Sequence, residues 1–476
     1  MAHDYRSYSF VRRGAAIAAV ALVLALLPPA SSAGADVVFT FEGGGFGHSV
    51  GMSQYGAYGM AREGYTWQEI VTHYFTGTTV AAADPIFTEA PLWVGITQEK
   101  SRVDFVVKAI GPNAVPAVIT RNAKTLTAQP GETITIEQIG SDTCRITTPQ
   151  GHLTGSCALD IEWDGWAASP ASALQLQGCT LPDWNAPGGT AFKPCTYARG
   201  TMHIRPDNNT QTVDVALEID IEDYVLGISE SPYGWGSYGG MAALEAQAVA
   251  ARSYAIHRAT NRGDPASRPW CWCQIYDTPV DQNYVGWGHG TQNWIDAVRN
   301  TEDMVLTHPS DTYQGKLLPI EAFYASSTFG WTEDSEHGFT AYVPYLRSVE
   351  DHWALDPAVG NHSARWTREF SGSSLAARLP GMSTVTGLEV TACSDSGAAL
   401  EITFTGSGGP RTFTTRELRG HLGLRSMQII RAGSPLPAKP ACPQPGVTPP
   451  PTPGGPVVLA GMTLDDDNGG DSVGNG

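Results

Sequence analysis

Apolar and polar residues alternate with a period of two through much of the stretch from residue 90 to 160. The runs are LWVGI at 92–96, VDFVV at 103–107, AVIT at 117–120 and TITIEQI at 133–139. Gly, Pro and Asn break them, so each predicts a strand half-buried on one face. The same period returns in TMHIRP at 201–206 and TVDVALEID at 212–220. A short strand is expected at 37–41, before a glycine-dense stretch in which seven of the 17 residues from 43 to 59 are Gly. That density permits positive φ and close backbone approach. Helical spacing appears at 65–74 (YTWQEIVTHY) and most clearly at 240–260 (GMAALEAQAVAARSYAIHRAT). The second helix carries eight alanines, so another element can approach it closely; Gln247 and Tyr254 share one face, Glu245 and Arg252 another. Together these elements predict a strand-rich α+β fold with a central Ala-rich helix and a smaller β subdomain over 85–160.

The two ends differ from the middle. Arg6, Arg12 and Arg13 precede an apolar run at 15–27 and small residues ending in Ala33-Gly34-Ala35. This is the pattern of an export signal over 1–35, with the mature chain starting near Gly34 or Asp36. The run is shorter than the roughly 20 residues of a membrane helix, so no stable span is expected after cleavage. The Arg pair does not sit in a good twin-arginine context, which leaves general secretion. Residues 433–476 form a Pro-rich linker and an acidic Gly/Asp tail expected to be disordered. A net charge of −18 without a basic block excludes nucleic acid as a partner. A polymer substrate would then be held by hydrogen bonds and by stacking on the 13 Trp and 17 Tyr.

Eight cysteines in an exported chain point to disulfides. Proximity pairs Cys144 with Cys157, Cys179 with Cys195 and Cys393 with Cys442. Cys271 and Cys273 remain, either as a small ring or as zinc ligands with His257 or His289, although the usual C-x₂₋₄-C spacing is absent. No cofactor or metal is expected.

Gly47-His48-Ser49-Val50-Gly51 is a literal G-x-S-x-G, the nucleophile elbow of serine hydrolases, but it lies early in the chain and no helix follows at once. A wider pattern contains it. Residues 43–78 (GGGFGHSVGMSQYGAYGMAREGYTWQEIVTHYFTGT), 224–232 (YVLGISESP) and 243–255 (ALEAQAVAARSYA) together resemble the SpoIID/LytB family, named for stage II sporulation protein D. Echoes follow in Asp277-Thr278 with Asp281-Gln282-x-Tyr284-x-Gly286, in 323–333 (FYASSTFGWTE) and in 344–349 (PYLRSV). The resemblance covers about 36–80 and 197–432, leaving 36–84 as the Gly-rich segment and 161–432 as the core of the domain. In the sporulation proteins the Gly-rich motif closes the domain; here it opens the mature chain, as in a circular permutation.

The resemblance implies a secreted, cell-wall lytic transglycosylase acting on peptidoglycan glycan strands, with the Glu of E-x-P, Glu230, as catalytic acid. Such a reaction needs one carboxylic acid of raised pKa, flanked here by Ser229, Pro232, Tyr233 and Trp235. Ordinary glycosidases need two carboxylates; a second one would be sought first at Glu222 or Asp223. His48, Ser53, Gln54 and Tyr55 would contact sugar, and Gln247, Arg252 and Tyr254 would hold Glu230 or the substrate. Ser326 and Ser327 are further candidates, with Thr328 and Thr332 behind them. LytB-type members are described as enhancers of cell-wall amidases, so a glycan-binding partner of an amidase is the alternative implied function.

Overall fold

The computed structural model describes residues 36–182, 192–207, 210–339 and 341–446. The export signal expected at 1–35 and most of the C-terminal tail lie outside them. Among the described residues no helix is long and apolar enough to cross a membrane.

Two antiparallel-rich sheets carry most of the alternating segments. One runs in the order Ile275–Tyr276, Leu92–Lys100, Thr212–Ile219, Thr201–Asp207, Leu159–Glu162, Ala117–Arg121 and Lys124–Ala128. The other orders Gly151–Gly155, Thr143–Thr148, Thr133–Gly140, Arg102–Ala109, Ser172–Pro182 and Phe192–Tyr197. Their inward positions, among them Val94, Phe105, Ile119, Ile134, Ile146, Leu174 and Val215, share one buried core. The strands read in 85–160 are therefore interleaved with strands from 172–219 rather than set apart from them. Register explains this: Leu217 faces Val94 and Ile161 faces Met202, pairings that no local pattern could announce.

The Ala-rich helix, Met241–Arg262, is wedged between two cores. Leu244, Ala248, Ala251, Tyr254 and Ile256 enter the core of the sheets. Ala243, Ala246, Val249 and Ala250 enter a second core made by Val50, Met52, Met60, Ile70, Val71 and Tyr74. A helix buried on both sides needs small residues on both, and enlarging them would cost about 1–3 kcal/mol each through overpacking. That second core is built by helices Gln54–Arg62 and Trp67–Tyr74, the latter opened by a capping box of Thr66 and Glu69.

The N-terminal strand Val38–Gly43 does not pair with its neighbours in sequence. It inserts between Trp366–Ser371 and Ile429–Gly433 in a six-stranded sheet with its own core around Phe39, Phe41, Ile402 and Phe404. The Gly-rich stretch that follows is thereby anchored at its start, and Met52–Ser53 pairs in parallel with Tyr324–Ala325. All eight cysteines are bonded: 144 to 157, 179 to 195, 393 to 442 and 271 to 273. Among the described residues no group of three or more His, Cys, Asp or Glu side chains is placed to hold a metal ion. The alternative zinc set, Cys271 and Cys273 with His257 or His289, is not assembled, since the two cysteines are bonded to each other.

Candidate active site

The chain following helix Ile221–Leu226 turns into an extended segment that carries Glu230. Ile228 pairs with Tyr284, the Ser229 N–H donates to the Asn283 carbonyl at 2.9 Å, and the Asn283 side chain returns a bond to the Ser229 carbonyl at 2.7 Å. From the other side Gln54 donates to the Glu230 carbonyl and to Gln247 Oε1, each at 3.1 Å. Ser231 Oγ donates to the same Gln247 oxygen at 3.2 Å. The backbone of Glu230 is thus clamped by the Gly-rich segment, the Ala-rich helix and the 281–284 loop, while its side chain is left to the cleft.

That cleft measures about 950 Å³. Tyr55, Tyr233 and Trp235 line it together with Tyr254, Phe323, Phe339 and His48. The aromatic rings support one another: Trp235 stacks on Tyr58 at 4.5 Å and meets Tyr55 edge-on at 5.1 Å, and Phe323 lies 4.4 Å from Phe339. Such surfaces bind the apolar faces of sugar rings. Burial raises the proton affinity of Glu230 against two opposing bonds, from the Asn283 N–H at 2.6 Å and from the Tyr324 hydroxyl. The net direction is up, because loss of water outweighs both donors. Behind Tyr324 runs a buried chain in which Gln282 Nε2 donates to the Tyr324 oxygen and Tyr224 donates to Gln282 Oε1, each at 3.0 Å.

The second carboxylate on the lining is not free. Asp281 is held by both terminal nitrogens of Arg262 at 2.6 and 2.8 Å and by the Tyr276 N–H at 2.9 Å. Nor is Glu222 available. It takes a two-pronged bond at 2.6 Å from Arg252, whose side chain is fully buried. Asp223 lies 3.4 Å from Arg199 and does not line the cleft.

Of the residues expected to touch substrate, His48, Gln54, Tyr55, Tyr254 and Ser326 line the cleft. His48 is neutral near pH 7: burial, aided by the Arg419 charge, lowers it to about 4. Its Nδ1 accepts the Val50 N–H at 3.1 Å. The others sit elsewhere. Ser53 caps helix Gln54–Arg62 and is buried, a role that follows from the donor left free at a helix N-terminus. Gln247 is buried behind the loop as a clamp. Arg252 holds Glu222 rather than Glu230, since its face of the helix meets helix Ile221–Leu226 and the carbonyl of Met304. Ser327 is buried, and its backbone pairs with Phe46. Thr328 Oγ1 donates to Asp351 at 2.6 Å and Thr332 Oγ1 to the Arg347 carbonyl at 3.2 Å, so both are structural. Ser49 is buried at a φ of 60° and does not line the cleft, so it lacks the exposed hydroxyl of a nucleophile elbow. Tyr324, Asn283 and Phe323 were not singled out beforehand, although the echoes at 277–286 and 323–333 contain them.

Comparison with known proteins finds matches over part of the chain. A family model described as stage II sporulation protein, SpoIID, matches residues 209–308. Stage II sporulation protein D of Bacillus amyloliquefaciens is 31% identical over 220 residues, 44% of this chain and 59% of that protein. The protein of the same name from Bacillus subtilis (strain 168) is 28% identical over 251 residues, 49% of this chain and 67% of its own length. A Bacillus subtilis protein named amidase enhancer is 34% identical over 147 residues, 31% of this chain but only 16% of that protein. No solved structure matches the chain. The chain spans 59% of the first of these relatives, and the residues matched by the family model, 209–308, hold the Glu230 loop, the Ala-rich helix and the 281–284 loop; over these the chain is similar to the stage II sporulation protein D family.

Proposed function

We propose that this chain is an exported lytic transglycosylase that cuts the MurNAc–GlcNAc bond of peptidoglycan glycan strands, with Glu230 as its only acid and base. The observation that carries the reading is a single carboxyl group without an ion-pair partner in an aromatic cleft, its proton affinity raised by burial. Protonated Glu230 donates to the glycosidic oxygen as the bond to C1 breaks. The carboxylate so formed takes the proton of the sugar's 6-hydroxyl as that oxygen closes onto C1, which leaves a 1,6-anhydro end. No activated water is needed, and so no second carboxylate. The ion pairs that occupy Asp281 and Glu222 fit this economy. Gln54, Gln247 and Ser231 fix the acid's backbone, and the Asn283 N–H and Tyr324 hydroxyl fix its oxygens.

The sequence pattern at 1–35 and the four disulfides support export to the cell wall. The contact of Gln54 with Glu230, across 176 residues of chain, supports a permuted order in which the Gly-rich motif has moved along the sequence but not in space. A second reading, a glycan-binding enhancer of an amidase, draws on the relative of that name. One experiment separates the two. Glu230→Gln keeps shape and hydrogen-bonding reach but can neither give nor take the proton, so cleavage of purified glycan strands should fall by about 10²–10⁴-fold with glycan binding retained. Mass analysis of wild-type products should find 1,6-anhydroMurNAc ends. Undiminished cleavage by the variant would refute the assignment, and no cleavage by either form would favour the binder.

A further inference from the structure

His48 reaches the cleft on a turn that glycine permits. Gly47 and Gly51 have φ of 111° and 73°, and both press on the segment 323–325. A Cβ at Gly47 would fall 3.0 Å from Ala325 Cβ, and one at Gly51 would fall 2.1 Å from the Phe323 carbonyl oxygen. The backbone bonds across on either side of the turn: the Phe46 N–H donates to the Ser327 carbonyl at 2.9 Å and the Met52 N–H to the Phe323 carbonyl at 3.0 Å. Inside it the imidazole is engaged at both nitrogens. Nδ1 accepts the Val50 N–H at 3.1 Å, so a neutral ring carries its proton on Nε2. The ring's other polar contact is with the backbone of Tyr324, whose carbonyl can only accept and so favours a proton on the ring. Phe323 meets the ring edge-on at 5.8 Å and Phe339 lies 5.2 Å away. The charge that faces it is Arg419, which like burial disfavours a second proton. A neutral imidazole bonded at both nitrogens has no polar capacity left for a sugar.

The residue it holds is the one whose hydroxyl donates to Glu230. Tyr324 belongs to a strand of two residues, in a two-stranded sheet with Met52–Ser53, so few ladder bonds fix where its side chain starts. We propose that His48 is a positioning residue: as the Nε2–H tautomer it ties the Gly-rich turn to the Tyr324 carbonyl, and so sets the Tyr324 hydroxyl on the Glu230 carboxylate. The proposal rests on the reading of Glu230 as the acid. It makes the invariant geometry of the turn, rather than a sugar contact, the reason for a histidine in this wall.

The test reads both proton equilibria directly in the whole exported chain. Nitrogen NMR of ring-labelled histidine, assigned with His48→Gln, should find His48 neutral with its proton on Nε2 at pH 6 and above. Carbon NMR of carboxyl-labelled glutamate, assigned with Glu230→Gln, gives the titration midpoint of Glu230. His48→Asn keeps an acceptor near the place of Nδ1 but cannot reach Tyr324, whereas His48→Gln can put an amide N–H near the place of Nε2. The Tyr324 bond stabilises the charged carboxylate, so His48→Asn should raise the Glu230 midpoint, by about one to two pH units, and His48→Gln should restore most of it. In a Tyr324→Phe background His48→Asn should add nothing further, because both changes remove the same bond. The alkaline limb of cleavage should move with the midpoint. A midpoint unmoved by His48→Asn, additive shifts in the double variant, or a ring with its proton on Nδ1 would overturn the proposal. A rise in KM with an unmoved midpoint would overturn it too, in favour of a sugar contact. Should His48→Asn fail to fold, the histidine spectrum of the unaltered chain still decides the tautomer on which the proposal stands. If the chain cuts no glycan, the proposed function fails, while both titrations still judge the positioning, since neither needs turnover.

Discussion

Removing the hydroxyl of Tyr324 should move the pH profile of cleavage upward without abolishing cleavage. Tyr324 sits on a two-residue strand paired with Met52–Ser53, so its position is set by the Gly-rich segment. Its oxygen already accepts from Gln282, which leaves its own proton for the Glu230 carboxylate. A hydrogen bond to a charged group is worth about 1.5–3 kcal/mol. At 1.36 kcal/mol for each tenfold change, its loss should keep Glu230 protonated about one to two pH units higher. The sign is definite: the bond stabilises the charged form, so deleting it favours the acid. In Tyr324→Phe the alkaline limb of kcat/KM should therefore rise by that amount. The fold should survive, because Gln282 Nε2 keeps the Ala251 carbonyl at 3.2 Å. The assay is release of anhydro-ended fragments from a labelled glycan, at sub-saturating substrate, from about pH 5 to 9. An alkaline limb that stays put or moves down would refute the reasoning. Loss of cleavage at every pH would instead make Tyr324 a proton carrier.

Two further outcomes concern the frame around the site. Glu222→Ala leaves Arg252 buried with only carbonyl partners, so chemical denaturation should show a loss of about 3–5 kcal/mol, largely recovered in the double variant Glu222→Leu, Arg252→Met. Asp351 is fully buried, and desolvation raises it from 3.8 to about 6 despite bonds from Thr328, Tyr74 and Ser53. The folded state thus holds its proton more tightly than the unfolded chain, and the corresponding stability, about 3 kcal/mol, is complete below about pH 4 and lost as pH rises through about 6. Asp351→Asn should flatten that part of the curve of melting temperature against pH, and an unchanged slope would count against the assignment.

What was legible in the sequence follows from the range over which each feature is specified. The Ala-rich helix announced itself because a two-sided burial of small residues is a local pattern, and the strands because alternation is. Their partners were not, since Leu217 against Val94 or Val38 against Ser371 depends on chain segments far apart. The same limit governs the site. Glu230 was readable from a short motif. The two donors to its carboxylate were not, because the Asn283 N–H and the Tyr324 hydroxyl arrive from distant segments, and neither carries a periodic signal. For Arg252, helical spacing told which face it occupies but not that Glu222 would be waiting there.

The long motifs themselves divide in an informative way. Gln54 and Gln247, each embedded in one of the most specific stretches, do not both reach the cleft. They meet each other, the carbonyl of Glu230 and the hydroxyl of Ser231. Gly56, two residues after Gln54, has no room for a side chain: a Cβ there would fall 1.8 Å from an oxygen of Asp351. These residues therefore encode where a carboxylate stands rather than what it touches. A hydrogen bond between Gln54 and Glu230 takes no account of the order in which the chain visits them. That is the physical reason a Gly-rich segment can brace the Glu230 loop across 176 residues of chain. It also yields a sharp expectation. Gln54→Ala should lower cleavage through a misplaced acid, with kcat falling more than KM rises, because a sugar contact at Gln54 would show the opposite split.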